Sequence, residues 1–375
     1  MDFTGEVTVS GMPDIRTDMA DPDPVVMRKS LIESFRQEGK GDYPTDVLGI
    51  KTYPVLAISG SGAYSAYSAG FLKGWSGSGT RPLFKIITGV SSGTIISFYA
   101  FLGQDYDRDL EKFFTSISTK DIMTQKSIPG ILLSDSLMSS APLVKRIAEV
   151  VNEDSIARVA AEHRRGRRLF FGTVNLDSQQ FIVWDMGAIA CKGTPESLEL
   201  FRKVALASSS MPMTFPPVHF KVTSASGEVY DEMHVDGATM RDIFYIDQLT
   251  KNMEGAAKVF GADPSKYKPR LYIINSCHSR PDKKRIQDNL FSVVGGSLDA
   301  ISSAQNNGDM YRLYANAKRR HLDFNLAVIP DDFKFHSKEE FDKPEMRRLF
   351  DRGYEDAIHG YRWYKTPPGY AAEDD

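Results

Sequence analysis

The chain has 375 residues, 41 % of them hydrophobic and 25 % charged, with a formal net charge of −3. That is enough for a sizeable buried core in one large or two ordinary domains, and the charge balance argues against nucleic acid as a partner. Two cysteines, Cys191 and Cys277, make neither a disulfide framework nor a metal site, and no apolar run reaches the roughly 18 residues that span a bilayer.

Residues 1–50 are polar and broken by Pro and Gly, with one predicted helix over Val25–Glu38. They read as a surface extension. The opening stretch carries Asp2, Glu6, Asp14, Asp18 and Asp21 and does not read as a secretory signal. The compartment stays open, an exported lipoprotein form included. Pro54–Ser59 predicts a short buried strand, Gly60-Ser61-Gly62 a turn, and Ala63–Trp75 a helix rich in small residues. A second strand over 84–88 runs into Gly89-Val90-Ser91-Ser92-Gly93 and a helix to Leu102. Strand, helix, strand, helix in succession implies parallel neighbours in an α/β sheet.

Beyond this unit, Asp105–Ser116 and Ala141–His163 are predicted helices. The apolar, weakly periodic stretch 128–138 reads equally as a lid, a lipid-facing loop or a buried connection. The basic run Arg164-Arg165-Gly166-Arg167-Arg168 reads as a solvated helix end, with contact to anionic head groups as the alternative. Strands follow at Arg168–Thr173 and Phe181–Trp184, then a helix over Pro195–Ser208. His234-Val235 ends a short strand that turns at Asp236-Gly237-Ala238, and Arg270–Asn275 is a further strand. The rest, to Tyr364, reads as mainly helical with one strand near Asn325–Ile329. No linker divides the chain, so one domain is expected.

The chemistry centres on Ser91. A G-x-S-x-G turn between a strand and a helix lifts one hydroxyl clear of the backbone, and its tightness requires glycine at positions 89 and 93. A serine needs a group to take its proton and preorganised donors for the oxyanion it creates. Gly60-Ser61-Gly62 offers successive backbone amides at a helix start. A nucleotide-binding reading of that loop fails because Ser65 stands where the third glycine belongs and no acidic residue ends a second strand. For the base, His278 fits a triad slot by position. Asp236, at a strand end before Gly237, fits a direct carboxylate base. His321, His336 and His359 read as surface, and His219 and His234 as strand-embedded.

Together, Ser59-Gly60-Ser61-Gly62-Ala63, Gly89-Val90-Ser91-Ser92-Gly93 and Asp236-Gly237-Ala238 resemble the patatin-like phospholipases in order and spacing. The helix text Ala66–Leu72, the Ala207–Pro212 helix end and Phe215-Pro216-Pro217 agree. The resemblance implies a three-layer α/β fold with a central, mostly parallel sheet. It also implies a catalytic domain over 51–280 and a mainly helical part, 281–375, packed on it. It assigns Ser91 as nucleophile, Asp236 as base and the amides of Gly60, Ser61 and Gly62 as the oxyanion hole. His278 then becomes structural. No metal or cofactor is implied. The implied partners are a lipid or other ester substrate and peripheral contact with a membrane surface. The middle loop glycine is Ser61, and Tyr64 and Ser65 replace the basic residue and Gly usual two positions on. The missing basic residue, which could hold a phosphate, turns the expected substrate toward a neutral lipid, a lysolipid or a simple ester. The same residues would serve acyl transfer, and a fold retained for lipid binding alone is the non-enzymatic alternative.

Overall fold

The computed structural model describes residues 7–9, 11–39, 41–127, 135–245, 264–277, 286–337 and 339–370. Twelve strands are described: β1 (Thr8–Val9), β2 (Arg16–Asp18), β3 (Lys51–Ile58), β4 (Ile86–Gly89), β5 (Thr124–Gln125), β6 (Met138–Ser139), β7 (Arg168–Asn175), β8 (Gln180–Asp185), β9 (Val218–Thr223), β10 (Val229–Asp236), β11 (Tyr267–Asn275) and β12 (Asp323–Val328). Ten form one sheet; β5 and β6 form a separate pair.

The centre of the large sheet is parallel, in the order β7-β4-β3-β11-β12. Its strands are apolar on both faces because both faces are covered. Leu56, Ile58 and Ile87 point into one core; Val55, Ala57 and Ile86 point into the other. The first core is closed by α2 (Ser65–Gly77), α3 (Gly93–Leu102), α4 (Asp107–Ser116), α6 (Ala141–Val150), α7 (Glu153–Arg164), α8 (Met186–Lys192), α9 (Pro195–Ser208) and α11 (Lys343–Ile358). The second is closed by α1 (Val25–Gln37) and α10 (Leu290–Arg319). A one-turn helix, α5 (Thr119–Ile122), is the last of those found among the described residues. This is the three-layer arrangement expected.

The parallel strands give way to antiparallel ones on one flank. There β8 and β10 both run against β7, β9 against β10, β1 against β9 and β2 against β8. Residues 7–37 are therefore no surface extension. β1 and β2 join the sheet, and Val9, Ile15, Met27 and Leu31 are buried. The predicted helix 141–163 is two helices. Asn152 starts the second with a capping box: its side chain accepts from Ser155 N at 3.0 Å, and Ser155 Oγ accepts from Asn152 N at 2.9 Å. The basic run is only half solvated. Arg164 and Arg165 are exposed, while Arg167 and Arg168 are buried. Arg167 donates to the carbonyls of Phe84 (2.8 Å) and Phe101 (2.6 Å) and to Glu162, and Arg168 to Ser30 and Gln37. Of the stretch 128–138 expected as a lid or a connection, 128–134 lie outside the described residues. Its end is tied down, with Leu137 N donating to Met213 O at 2.8 Å and Met138 N to Thr214 O at 3.0 Å.

Helices α2 and α11 touch backbone to backbone. Gly70 and Gly74 face the carbonyls of Phe350 and Tyr354, and Gly353 faces the carbonyl of Tyr67. A methyl group at any of the three would sit inside a neighbouring carbonyl. By contrast Gly308, exposed in α10, has open space around it. The two kinds of glycine predict opposite outcomes. Gly70→Ala should lower unfolding free energy by about 2–3 kcal/mol through overpacking. Gly308→Ala should raise it by roughly 0.5–1 kcal/mol through helix propensity. Urea denaturation of both variants checks the pair.

Candidate active site

β4 ends in the centre of the sheet and the chain reverses at once into α3. Ser91 takes φ +54°, a left-handed value costly for a residue with a side chain. It is held there: Ser91 N donates to Ser208 Oγ at 3.0 Å, and Ser208 Oγ donates to Gly172 O at 2.7 Å. A Cβ on Gly89 would lie 2.7 Å from Gly93 O, and one on Gly93 would lie 2.9 Å from Ile58 O. Both flanking positions of the turn thus lack room for a side chain.

Asp236 reaches the serine by an unusual route. β4 lies along one edge of β7 with Gly89 opposite Phe171. β10 comes along the same edge from the other direction and stops with Asp236 opposite Thr173. The two strand ends meet across Gly172. Ser91 Oγ donates to Asp236 Oδ2 at 2.7 Å, and Asp236 Oδ1 accepts from Ala238 N at 2.9 Å. Asp236 is 1 % exposed. Burial pushes its carboxyl up to about 7, against the pull of the Ala238 amide and the Ser91 hydroxyl; the charge of Asp242 adds to the rise. A Cβ on Gly237 would come within 2.6 Å of Gly172 O, so the Asp-Gly turn needs its glycine.

β3 pairs with β4, so Gly60-Ser61-Gly62 emerges beside Ser91. The approach is close: a Cβ on Gly60 would stand 2.5 Å from Ser91 Cβ. Gly62 has φ +55°, the left-handed backbone glycine favours, whereas Ser61 at φ 161° is extended. The three amides differ in their engagement. Gly60 N–H donates to the Asp242 carboxylate. Ser61 N donates to Ser92 Oγ at 3.1 Å, and Ser92 Oγ is 2.7 Å from Ser65 Oγ. Among the described residues only the Gly62 amide of the three has no such partner. Val90 is buried behind the turn, and Ala238 supplies the amide on Asp236.

Sequence reading missed Ser208, which pins the Ser91 amide, and Asp242, which pins Gly60. The only signal for Asp242 is its place six residues after Asp236; its partners come from distant parts of the chain. His278 lies outside the described residues. His234 bonds Thr173 and Glu232, at 2.9 and 3.2 Å, and not Ser91. Among the described residues no cluster of three His, Cys, Asp or Glu could hold a metal, and no helix is long and apolar enough to cross a membrane.

A family model described as patatin-like phospholipase matches residues 56–246, from β3 through the Asp236 turn. The chain belongs to the patatin-like phospholipase family. Membership supports a lipid acyl hydrolase in general terms. No curated protein sequence matches the chain. Solved structures similar to it include the following two. VipD from Legionella pneumophila is 10 % identical at a TM-score of 0.38, the match covering 84 % of this chain and 69 % of that one. The complex of full-length SpcU with full-length ExoU, from the type III secretion system of Pseudomonas aeruginosa, matches at 12 % identity and a TM-score of 0.29. That match covers 82 % of this chain and 51 % of the other, so this chain spans about half its length.

The raised Asp236 carboxyl has a consequence for stability. The folded protein holds its proton from the ordinary carboxylate value of 3.8 up to about 7, while the unfolded chain has lost it. Stability therefore falls as pH climbs through that window. Asp236→Asn removes the titration. The variant should be more stable than wild type at pH 8, by roughly 2–4 kcal/mol, and equal to it at pH 4. Thermal unfolding at the two pH values tests this.

Proposed function

We propose that the protein is a serine acyl hydrolase of lipid or other carboxylic esters, working through Ser91 and Asp236 by an acyl-enzyme intermediate. The observation that carries the reading is the 2.7 Å hydrogen bond from Ser91 Oγ to the buried Asp236 carboxylate. It supplies a nucleophile and a base in direct contact, with no intervening imidazole.

Ionised Asp236 takes the hydroxyl proton as Oγ attacks the ester carbonyl carbon. The carbonyl oxygen becomes an oxyanion beside Gly60-Ser61-Gly62. The Gly62 amide receives it, and the Ser61 amide joins by exchanging its bond to Ser92 Oγ. Collapse breaks the bond to the alcohol oxygen, which leaves with the proton from Asp236. Water then enters, gives its proton to Asp236 and attacks the acyl carbon; the proton returns to Ser91 Oγ as the carboxylic acid departs. A base titrating near neutrality is matched to this work.

The loop's surroundings support a substrate without a strong negative charge. Tyr64 packs on Phe335 with ring centroids 5.1 Å apart, and Glu340 Oε1 lies 3.2 Å from where a Cβ on Gly62 would stand.

Wild type should label with a fluorophosphonate on Ser91, and Ser91→Ala should not. Ester turnover should fall by about 10⁴-fold or more in both Ser91→Ala and Asp236→Asn. For wild type, kcat/KM should decline as pH drops below a midpoint near 7, where Asp236 gains its proton. A folded wild type that neither labels nor turns over ester, with or without vesicles, overturns the proposal.

A further inference from the structure

Behind the oxyanion loop lies a second buried carboxylate. Asp242 is 6 % exposed and accepts three donors: the Gly60 amide, Cys277 Sγ at 3.1 Å and Asn306 Nδ2. A buried carboxylate is costly unless each lone pair is engaged, and charge-assisted bonds of this kind are the strong ones. Its backbone is held as well. Asp309 Oδ2 accepts from Asp242 N at 2.7 Å and from Ile243 N at 3.2 Å, with Gln305 and Arg312 on its other oxygen. Asn306 is fixed in turn by Asn275, whose Nδ2 donates to Asn306 Oδ1 at 2.9 Å and whose Oδ1 accepts from Cys277 N at 3.0 Å.

We infer that Asp242 is a positioning residue for the oxyanion loop, clamping Gly60 N–H through a network supplied by β11 and α10, beyond the part of the chain that the family model matches. The inference rests on the hydrolase reading above. Gly60 cannot shift toward Ser91, since there is no space between them. Asp242 holds it as well, with Oδ1 3.1 Å from where that same Cβ would stand, so the peptide plane that opens the loop is fixed before substrate arrives. Preorganisation of this kind is what an oxyanion donor needs, and a displacement of about 1 Å costs on the order of 10² in rate.

The test compares Asp242→Ala with Asp242→Asn, which keeps an oxygen for Gly60 N–H. The readouts are kinetics on 4-nitrophenyl butyrate and hydrogen exchange of the peptide containing residues 60–62. In Asp242→Ala, kcat should fall about 10²-fold with KM within about threefold of wild type, and the peptide should exchange faster. In Asp242→Asn, kcat should return to within about tenfold and exchange to the wild-type rate. Should Asp242→Ala not fold, Asn306→Ala removes one donor from the network and should lower kcat about tenfold with faster exchange. Wild-type kcat and exchange in a folded Asp242→Ala, or in Asn306→Ala, overturns the inference. So does an Asn variant no better than Ala. Wild type inert to both the ester and a fluorophosphonate is a separate failure: it removes the hydrolase reading, and the positioning role with it.

Discussion

Two strand ends meet head to head on one edge of β7, and the site depends on that meeting. β4 arrives with Ser91 just past its end, and β10 arrives from the opposite direction carrying Asp236 as its last residue. Hydrogen bonding to β7 fixes both in register, so the distance between hydroxyl and carboxylate follows from sheet geometry rather than from loop conformation. The gap holds only Gly172, whose carbonyl accepts from Ser208 Oγ and crowds Gly237. This explains why an antiparallel flank is grafted onto a parallel centre. A parallel strand in place of β10 would deliver its end to the same side as β4 and could not oppose it.

The surroundings of the site are polar to an extent a strand-end crevice does not require. Ser92, Ser65 and the Ser61 amide form one chain of contacts, and Ser68 with Ser276, beside Ser59, forms another. Small hydroxyls satisfy backbone groups that a tight turn and a short loop leave without ladder partners. They also cost little side-chain entropy when ordered. The loop is thereby held by many weak bonds and one strong anchor, the carboxylate of Asp242.

What was legible in the sequence was local. The elbow declares itself because Gly89 and Gly93 answer a steric demand within five residues, and Pro195–Ser208 carries its own cap in Thr194 and Ser197. Residues 7–18 were opaque because pairing with β9 and β8 spans more than 160 positions and leaves no periodic trace in two- and three-residue strands. Arg167 and Arg168 looked like solvated charge because their acceptors, carbonyls of Phe84, Phe101 and Ser30, have no sequence signature. The same applies to Asp242, whose partners lie on the loop after β3, the end of β11 and the middle of α10.

The glycine contact between α2 and α11 sets an order of events in time. α2 follows closely on the Gly60-Ser61-Gly62 loop, and its Gly70 and Gly74 stay bare until Phe350 and Tyr354 have been made. A growing chain emerges from the ribosome N-terminus first. Ser91, Asp236 and the loop are therefore all synthesised well before the helix that braces the loop's own helix exists. The nascent chain carries Ser91 and the loop through most of translation, and Asp236 through only its later part, before that brace closes with the last turns of α11.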